Sequence, residues 1–186
     1  DEKKKLFNAL TDYLMSKGSF GDVALSLRGS VYTLTREEPW TPLRDAREFA
    51  VLLNSTGRMD RPSLGVSVCM GDRGSALEGA NKVLEEYRRT INKYLGWVME
   101  KPERMQELEN IYVVYGENFI NDKIVGAISS ILSANLPNPE KPLIAYANVQ
   151  EENLAKFSAR TIDIVTNKGV NLGEVMQVAA EKCSGN

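Results

Sequence analysis

The period of the apolar positions changes along this chain, and the changes mark out its elements. From Glu2 to Lys17, Leu6, Leu10 and Leu14 recur at intervals of four beside Phe7 and Tyr13, which is the spacing of one helical face. Gly18 is a natural stop for that helix. Two short strand-like runs follow, DVALSL (22–27) and SVYTLT (30–35), separated by Arg28-Gly29, so a small hairpin is expected. Pro39 and Pro42 bracket Trp40 in a rigid loop. From Leu43 to Ser55 the helical period returns, with Ala46, Phe49, Ala50 and Leu53 inward, and STGRMDRPSLG (55–65) reads as a structured loop.

The clearest element comes next. Leu77, Ala80, Leu84, Tyr87, Ile91, Tyr94 and Val98 alternate steps of three and four, with Asp72 or Ser75 as the expected cap and Lys101-Pro102 as the expected end. Beyond Asn110 the pattern shortens. IYVVYG (111–116) and PLIAYANV (142–149) are expected strands, and LAKFSARTIDIV (154–165) supplies one or two more. KIVGAISSILSANL (123–136) and LGEVMQVAAEKC (172–183) are expected helices. The predicted fold is therefore α/β: a helical N-terminal portion with a small hairpin, a long connecting helix, and a small mixed-sheet C-terminal domain.

Composition narrows the chemistry. Of 186 residues, 42% are hydrophobic and 26% charged, an ordinary globular balance with enough apolar material for a core. No apolar run approaches the roughly 20 residues of a membrane span, and the opening DEKKKLF lacks the apolar stretch of a signal peptide. A cytoplasmic chain without membrane partners is expected. Cys69 and Cys183 are expected as reduced thiols, at least one of them a small core residue. The sequence contains no histidine, which removes Ser-His and Cys-His nucleophiles and the usual zinc ligand sets. A net charge of −2 leaves no polycationic surface, so any nucleic-acid binding must rest on a local cluster.

Two clusters qualify. In LLNSTGRM, Asn54, Ser55, Thr56 and Arg58 bring donors to a glycine-containing turn, and the planar fork of Arg58 suits a phosphate. The same residues also suit a turn in which Arg58 pairs with a neighbouring carboxylate. In KFSART, period-two geometry puts Lys156, Ser158 and Arg160 on one face of a strand, a basic–hydroxyl–basic row. That row fits phosphate-backbone contacts and equally a solvated strand face.

Taken in order, LLNSTGRMDRPSLGV, the long helix, KIVGAISSIL, PLIAYA, KFSART and LGEVMQVAAEK resemble the RecJ-like branch of the DHH phosphoesterase superfamily, its archaeal members above all. The resemblance implies that residues 42–72 end the DHH catalytic domain and that 73–110 form the connecting helix. It makes 111–186 the DHH-associated substrate-binding domain, stopping before the family's Gly-Gly-His loop. Residues 1–41 would be part of an inserted domain that touches GINS, with Phe20 and Trp40 as partner anchors. The implied activity is 5′-to-3′ exonuclease action on single-stranded DNA or RNA in replication or repair, with Asn54, Arg58, Lys156, Ser158 and Arg160 binding the strand. The family's manganese or magnesium ions are held by upstream aspartates and histidines that have no counterpart here. The chain alone would then bind without hydrolysing, and no catalytic or metal-ligating residue is assigned to it. A non-catalytic scaffold that binds GINS and a small-nucleotide phosphodiesterase are the alternatives.

Overall fold

A computed structural model describes residues 2–18, 29–149 and 153–183. The chain divides into two units, Asp1–Val51 and Leu52–Asn186.

In the first unit, helix α1 spans Glu2–Ser16, as the leucine spacing predicts, and ends at Gly18 in the left-handed region (φ 83°). None of its residues is buried. The expected hairpin is corrected. Residues 22–27 lie outside the described segments, and 30–35 form no strand. Instead the Pro39–Pro42 turn returns the chain so that Thr33 makes an isolated antiparallel bridge to Asp45, downstream of it. Leu34 N–H donates to the Arg44 carbonyl (2.8 Å) and Ala46 N–H to that of Tyr32 (3.0 Å). A single 3-10 turn, Pro42–Arg44, starts on a proline, where the missing N–H costs nothing. The Asp45 carboxylate then accepts from the backbone of Arg47 (2.8 Å) and Glu48 (3.2 Å) and starts helix α2, Ala46–Arg58.

Helix α2 runs through Gly57, where a loop was expected. A glycine inside a helix costs about 1 kcal/mol against alanine. Burial of Leu52, Ser55 and Thr56 on the same helix outweighs it. The hydroxyls of Ser55 and Thr56 donate back to the carbonyls of Leu52 (2.7 Å) and Leu53 (2.8 Å), so their burial leaves no polar atom unsatisfied. The chain reverses at Asp60 (φ 58°) and enters helix α3, Pro62–Cys69. Gly65 permits this: a Cβ there would lie 2.5 Å from Thr56 Oγ1. The expected loop is thus a helix–turn–helix. Cys69 at its end is exposed, as is Cys183, which corrects the expectation of a core thiol.

Helix α4, Ser75–Glu100, carries the predicted stripe, with Ala80, Leu84, Ile91 and Val98 buried. Its cap is Gly74 rather than Asp72 or Ser75; the Asp72 side chain instead accepts from Gly74 N–H (2.8 Å) and shapes the preceding turn. Pro102 opens a short 3-10 turn, Pro102–Arg104. Strand β1, Met105–Glu107, follows; its three residues are too few to show a period. It pairs antiparallel with β2 (Tyr112–Tyr115), β2 pairs parallel with β3 (Leu143–Asn148), and β3 pairs antiparallel with β4 (Ala155–Arg160). Helix α5, Val125–Ser133, is the crossover that the parallel pair requires. Of the one or two strands expected in 154–165, one forms; the segment after it is helix α6, Asp163–Asn167, and helix α7 spans Leu172–Lys182.

Burial alternates along β2 and β3, so the sheet has an inner and an outer face. Tyr112, Val114, Leu143, Ala145 and Ala147 point inward and share a core with Ile91 and Val98 of α4 and Val125, Ile128 and Leu132 of α5. The register extends the inner face to Ser158 and Arg160, and the outer face to Phe157 and Ala159. Among the described residues no helix is long and apolar enough to cross a membrane. The architecture is mixed α/β with a helical N-terminal part, as the sequence predicts.

Candidate functional site at the first turn of helix α5

The site is built where α5 begins. Asn121 organises the approach: its side-chain oxygen accepts from Lys123 N–H (2.8 Å), and its carbonyl accepts from the N–H groups of Ile124 and Val125. Gly126 then brings the helix against β4. A Cβ on Gly126 would sit 3.6 Å from Arg160 Nη2 and 3.7 Å from Ser158 Oγ, so this glycine lies beneath the guanidinium.

Arg160 ends β4 on the inner face, at the sheet's edge. Its Nε donates to Ser130 Oγ (2.8 Å) and its Nη1 to the Ala159 carbonyl (2.8 Å). Ser130 in turn donates to the Gly126 carbonyl (2.9 Å), so the guanidinium is held over the first turn of α5 by neutral groups. Arg58, the last residue of α2, donates from Nη1 to the Lys123 carbonyl (3.2 Å), in the turn that leads into α5. Neither guanidinium makes an ion pair among the described residues. The third cation, Lys123, is paired with Asp60 (2.5 Å), and that bond holds its ammonium above the usual lysine pKa. Asp122 stands close enough to add to the effect.

Ser158 is buried, with 8% of its surface exposed, and shares a 2.9 Å hydrogen bond with Ser129 of α5. Its hydroxyl packs the helix onto the strand and does not face solvent. The expected row of three is therefore split: Lys156 is exposed opposite Ala147, Ser158 is interior, and Arg160 alone joins the site. Asn54 is exposed on α2, one turn before Arg58, and stands inside a helix and not on a glycine-containing turn. Phe20 lies outside the described residues. Trp40 is fully exposed and sits in the left-handed region (φ 67°).

Sequence reasoning passed over Lys123, Gly126 and Ser130. Their signal was present in KIVGAISS, a lysine before a glycine with serines three and four residues beyond it. It became legible only when the sheet register set Arg160 against that turn. Among the described residues, no three acidic or cysteine side chains converge as a metal site would require, and the sequence has no histidine. A two-metal centre does not fit these residues.

No family model matches the chain. It is similar to an uncharacterized protein of Methanocaldococcus jannaschii, with 32% identity over 139 residues. The match takes in 75% of this chain and 28% of that protein, so the chain spans under a third of its relative's length.

Proposed function

We propose that residues 52–186 hold the phosphodiester backbone of single-stranded DNA or RNA for a longer RecJ-like 5′-to-3′ exonuclease acting in replication or repair in the cytoplasm. The observation that carries this reading is the placement of Arg58 at the turn that leads into α5 and of Arg160 over the helix's start, each with only neutral hydrogen-bond partners among the described residues. An arginine fork without a carboxylate partner keeps its capacity for a phosphate. A helix start adds partial positive charge at the same place. The contacts read backbone and not bases, which suits an enzyme that accepts any sequence. Asn54, one turn from Arg58, would follow the strand outward, and Lys156 would add a peripheral charge. Hydrolysis, and the manganese or magnesium ions it needs, would reside in a catalytic domain outside these residues. The greater length of the Methanocaldococcus relative is compatible with one.

The test is the salt dependence of oligonucleotide binding. For single strands, the slope of log affinity against log salt falls by about 0.7 for each phosphate that is no longer neutralised. Arg160→Ala should lower affinity and flatten the slope by about that much, while Arg160→Lys should retain most of it. An unchanged slope in Arg160→Ala sinks the reading.

A second reading, a scaffold that docks a protein such as a GINS subunit, is favoured by Trp40. A tryptophan with its whole side chain in solvent and a positive φ is expensive to keep, and aromatic anchors concentrate at interface centres. The two readings concern different units of the chain and are compatible.

A further inference from the structure

The outer face of the sheet differs in chemistry from everything described above. Tyr115, Tyr146 and Phe157 pair directly across β2, β3 and β4, so their side chains stand in one row. The ring centroids are 5.9 Å apart for Tyr115–Tyr146 and 5.5 Å for Tyr146–Phe157. Phe157 keeps 55% of its surface exposed, and the two tyrosines are partly buried. The covered face carries Val114, Leu143, Ala145 and Ala147 with the buried ring of Tyr112; this one carries a row of three rings beside Val113 and Ile144.

Charge separates the faces as well. Glu107 is the one acidic residue on the four strands, and its register with Tyr112 puts it on the inner face. A polyanion crossing the outer face meets no carboxylate on any of these strands. Beside Tyr115 opens a cavity of about 370 Å³ that is also lined by Trp97, Lys101 and Arg104. Arg104 is committed there, stacked on the Trp97 ring at 4.0 Å and paired with Glu100 at 2.8 Å. Lys101 makes no ion pair among the described residues. Glu103 and Glu117 also line this cavity, which keeps its net charge low.

We infer that the outer face is a base-stacking platform for single-stranded nucleic acid, with Tyr115, Tyr146 and Phe157 as the rings and Lys101 as the contact to a phosphate at one end. Four-stranded sheets whose exposed rings stack two or three bases use this chemistry, and such stacking tolerates every base. The platform goes beyond the arginine site: it reads the bases' π-faces on the opposite side of the sheet, where the arginines read charge. Together the two contact types favour an unpaired strand, since bases in a duplex are already stacked on one another.

The test compares a short oligothymidylate with an abasic strand of equal length and charge, both bound to the full chain. Wild type should bind oligothymidylate more tightly. Phe157→Ala removes a largely exposed ring, so the fold should survive, and a thermal melt checks that it does. The variant should lose about five-fold or more of the oligothymidylate affinity, from a stacking contribution of about 1–3 kcal/mol per base. Its abasic affinity and salt slope should stay at the wild-type values, and Phe157→Tyr should restore the loss. Equal wild-type affinity for the two strands overturns the platform and leaves the arginine site standing. So does a Phe157→Ala variant that binds oligothymidylate like wild type. Self-association that Phe157→Ala abolishes would assign the face to a second copy of the chain and also overturn it. Failure to bind either strand overturns the platform and the arginine site together.

Discussion

The two faces of the sheet come from the same four strands and the same alternation, yet they have opposite fates. On the inner face, Leu143, Ala145 and Ala147 of β3 are buried beneath α4 and α5, and even the hydroxyl of Ser158 is used to seat a helix. On the outer face, the intervening residues Ile144 and Tyr146 are only partly buried, and the row ends in the open ring of Phe157. Alternation distinguishes two faces without saying which one a helix will cover. KFSART shows the consequence. Its polar side, Lys156, Ser158 and Arg160, looks like the solvent side of a strand. The register turns it toward α5, because the small Ser158 admits the helix that the ring of Phe157 would keep out.

The sharpest way to break the comparison is to truncate neighbours on β3. Leu143→Ala leaves a hole in a fully buried cluster and should lower unfolding stability by about 2–5 kcal/mol. Ile144→Ala, one residue on and facing outward, should lose clearly less, about 1 kcal/mol, since less of its surface leaves water on folding. Urea unfolding of the two variants checks the ratio. Equal losses would mean that the outer face is as closely covered as the inner one.

A smaller effect is expected within β4. Ser158→Ala removes one partner of the buried Ser129 hydroxyl, which keeps its bond to the Gly126 carbonyl (3.0 Å). The loss should be about 1 kcal/mol, the usual net worth of one hydrogen bond. Lys156→Ala, exposed on the same strand, should stay within about 0.5 kcal/mol of wild type. If Lys156→Ala were the more destabilising of the two, the assignment of Ser158 as packing and Lys156 as surface would be reversed.

How much of this was legible in the sequence depended on whether the deciding interaction was local. The stripe on α4 was legible because seven apolar positions over six turns leave one period, and the strands of Ile111–Gly116 and Pro142–Val149 because each is a short apolar run rich in β-branched and aromatic residues. Helix α2 was cut short because Gly57 and the hydroxyls of Ser55 and Thr56 are turn signals locally; burial against α3, with Gly65 beneath Thr56, overrides them. The hairpin expected at 22–35 failed on its described half for a similar reason, since Thr33 pairs with Asp45 beyond the proline turn. In the candidate site, Arg58 and Arg160 were legible as cations with donor-rich neighbours. That both bond near the start of α5 was not, because it needs α5 as a third element between segments a hundred residues apart. The ring row was invisible for the same reason, its members lying one to a strand.

The smallest expected effect lies at the edge of the inner face, in the register row Glu107, Tyr112, Leu143 and Arg160. Lys141 donates to the Glu107 carboxylate (2.7 Å), and this bond first, with the Tyr112 hydroxyl second, holds its pKa below the ordinary 4.5. A carboxyl whose folded pKa is depressed stabilises the fold at pH above its unfolded value, and that contribution is lost as pH falls through the folded value. Stability should therefore decline on acidification below about pH 4.5, and Glu107→Gln should flatten that part of the curve while leaving the neutral range nearly unchanged. Because the carboxylate is open to solvent, the difference should be slight and should shrink further in high salt. Tyr112 beside it is inaccessible, and its phenol is raised above its ordinary value by burial first, so it stays neutral across the same range and adds no slope of its own. A Glu107→Gln variant with an unaltered acid limb would show that the rim of the inner face is held by the burial of Tyr112 and Leu143 alone, and that charge there is incidental to the boundary between the two faces.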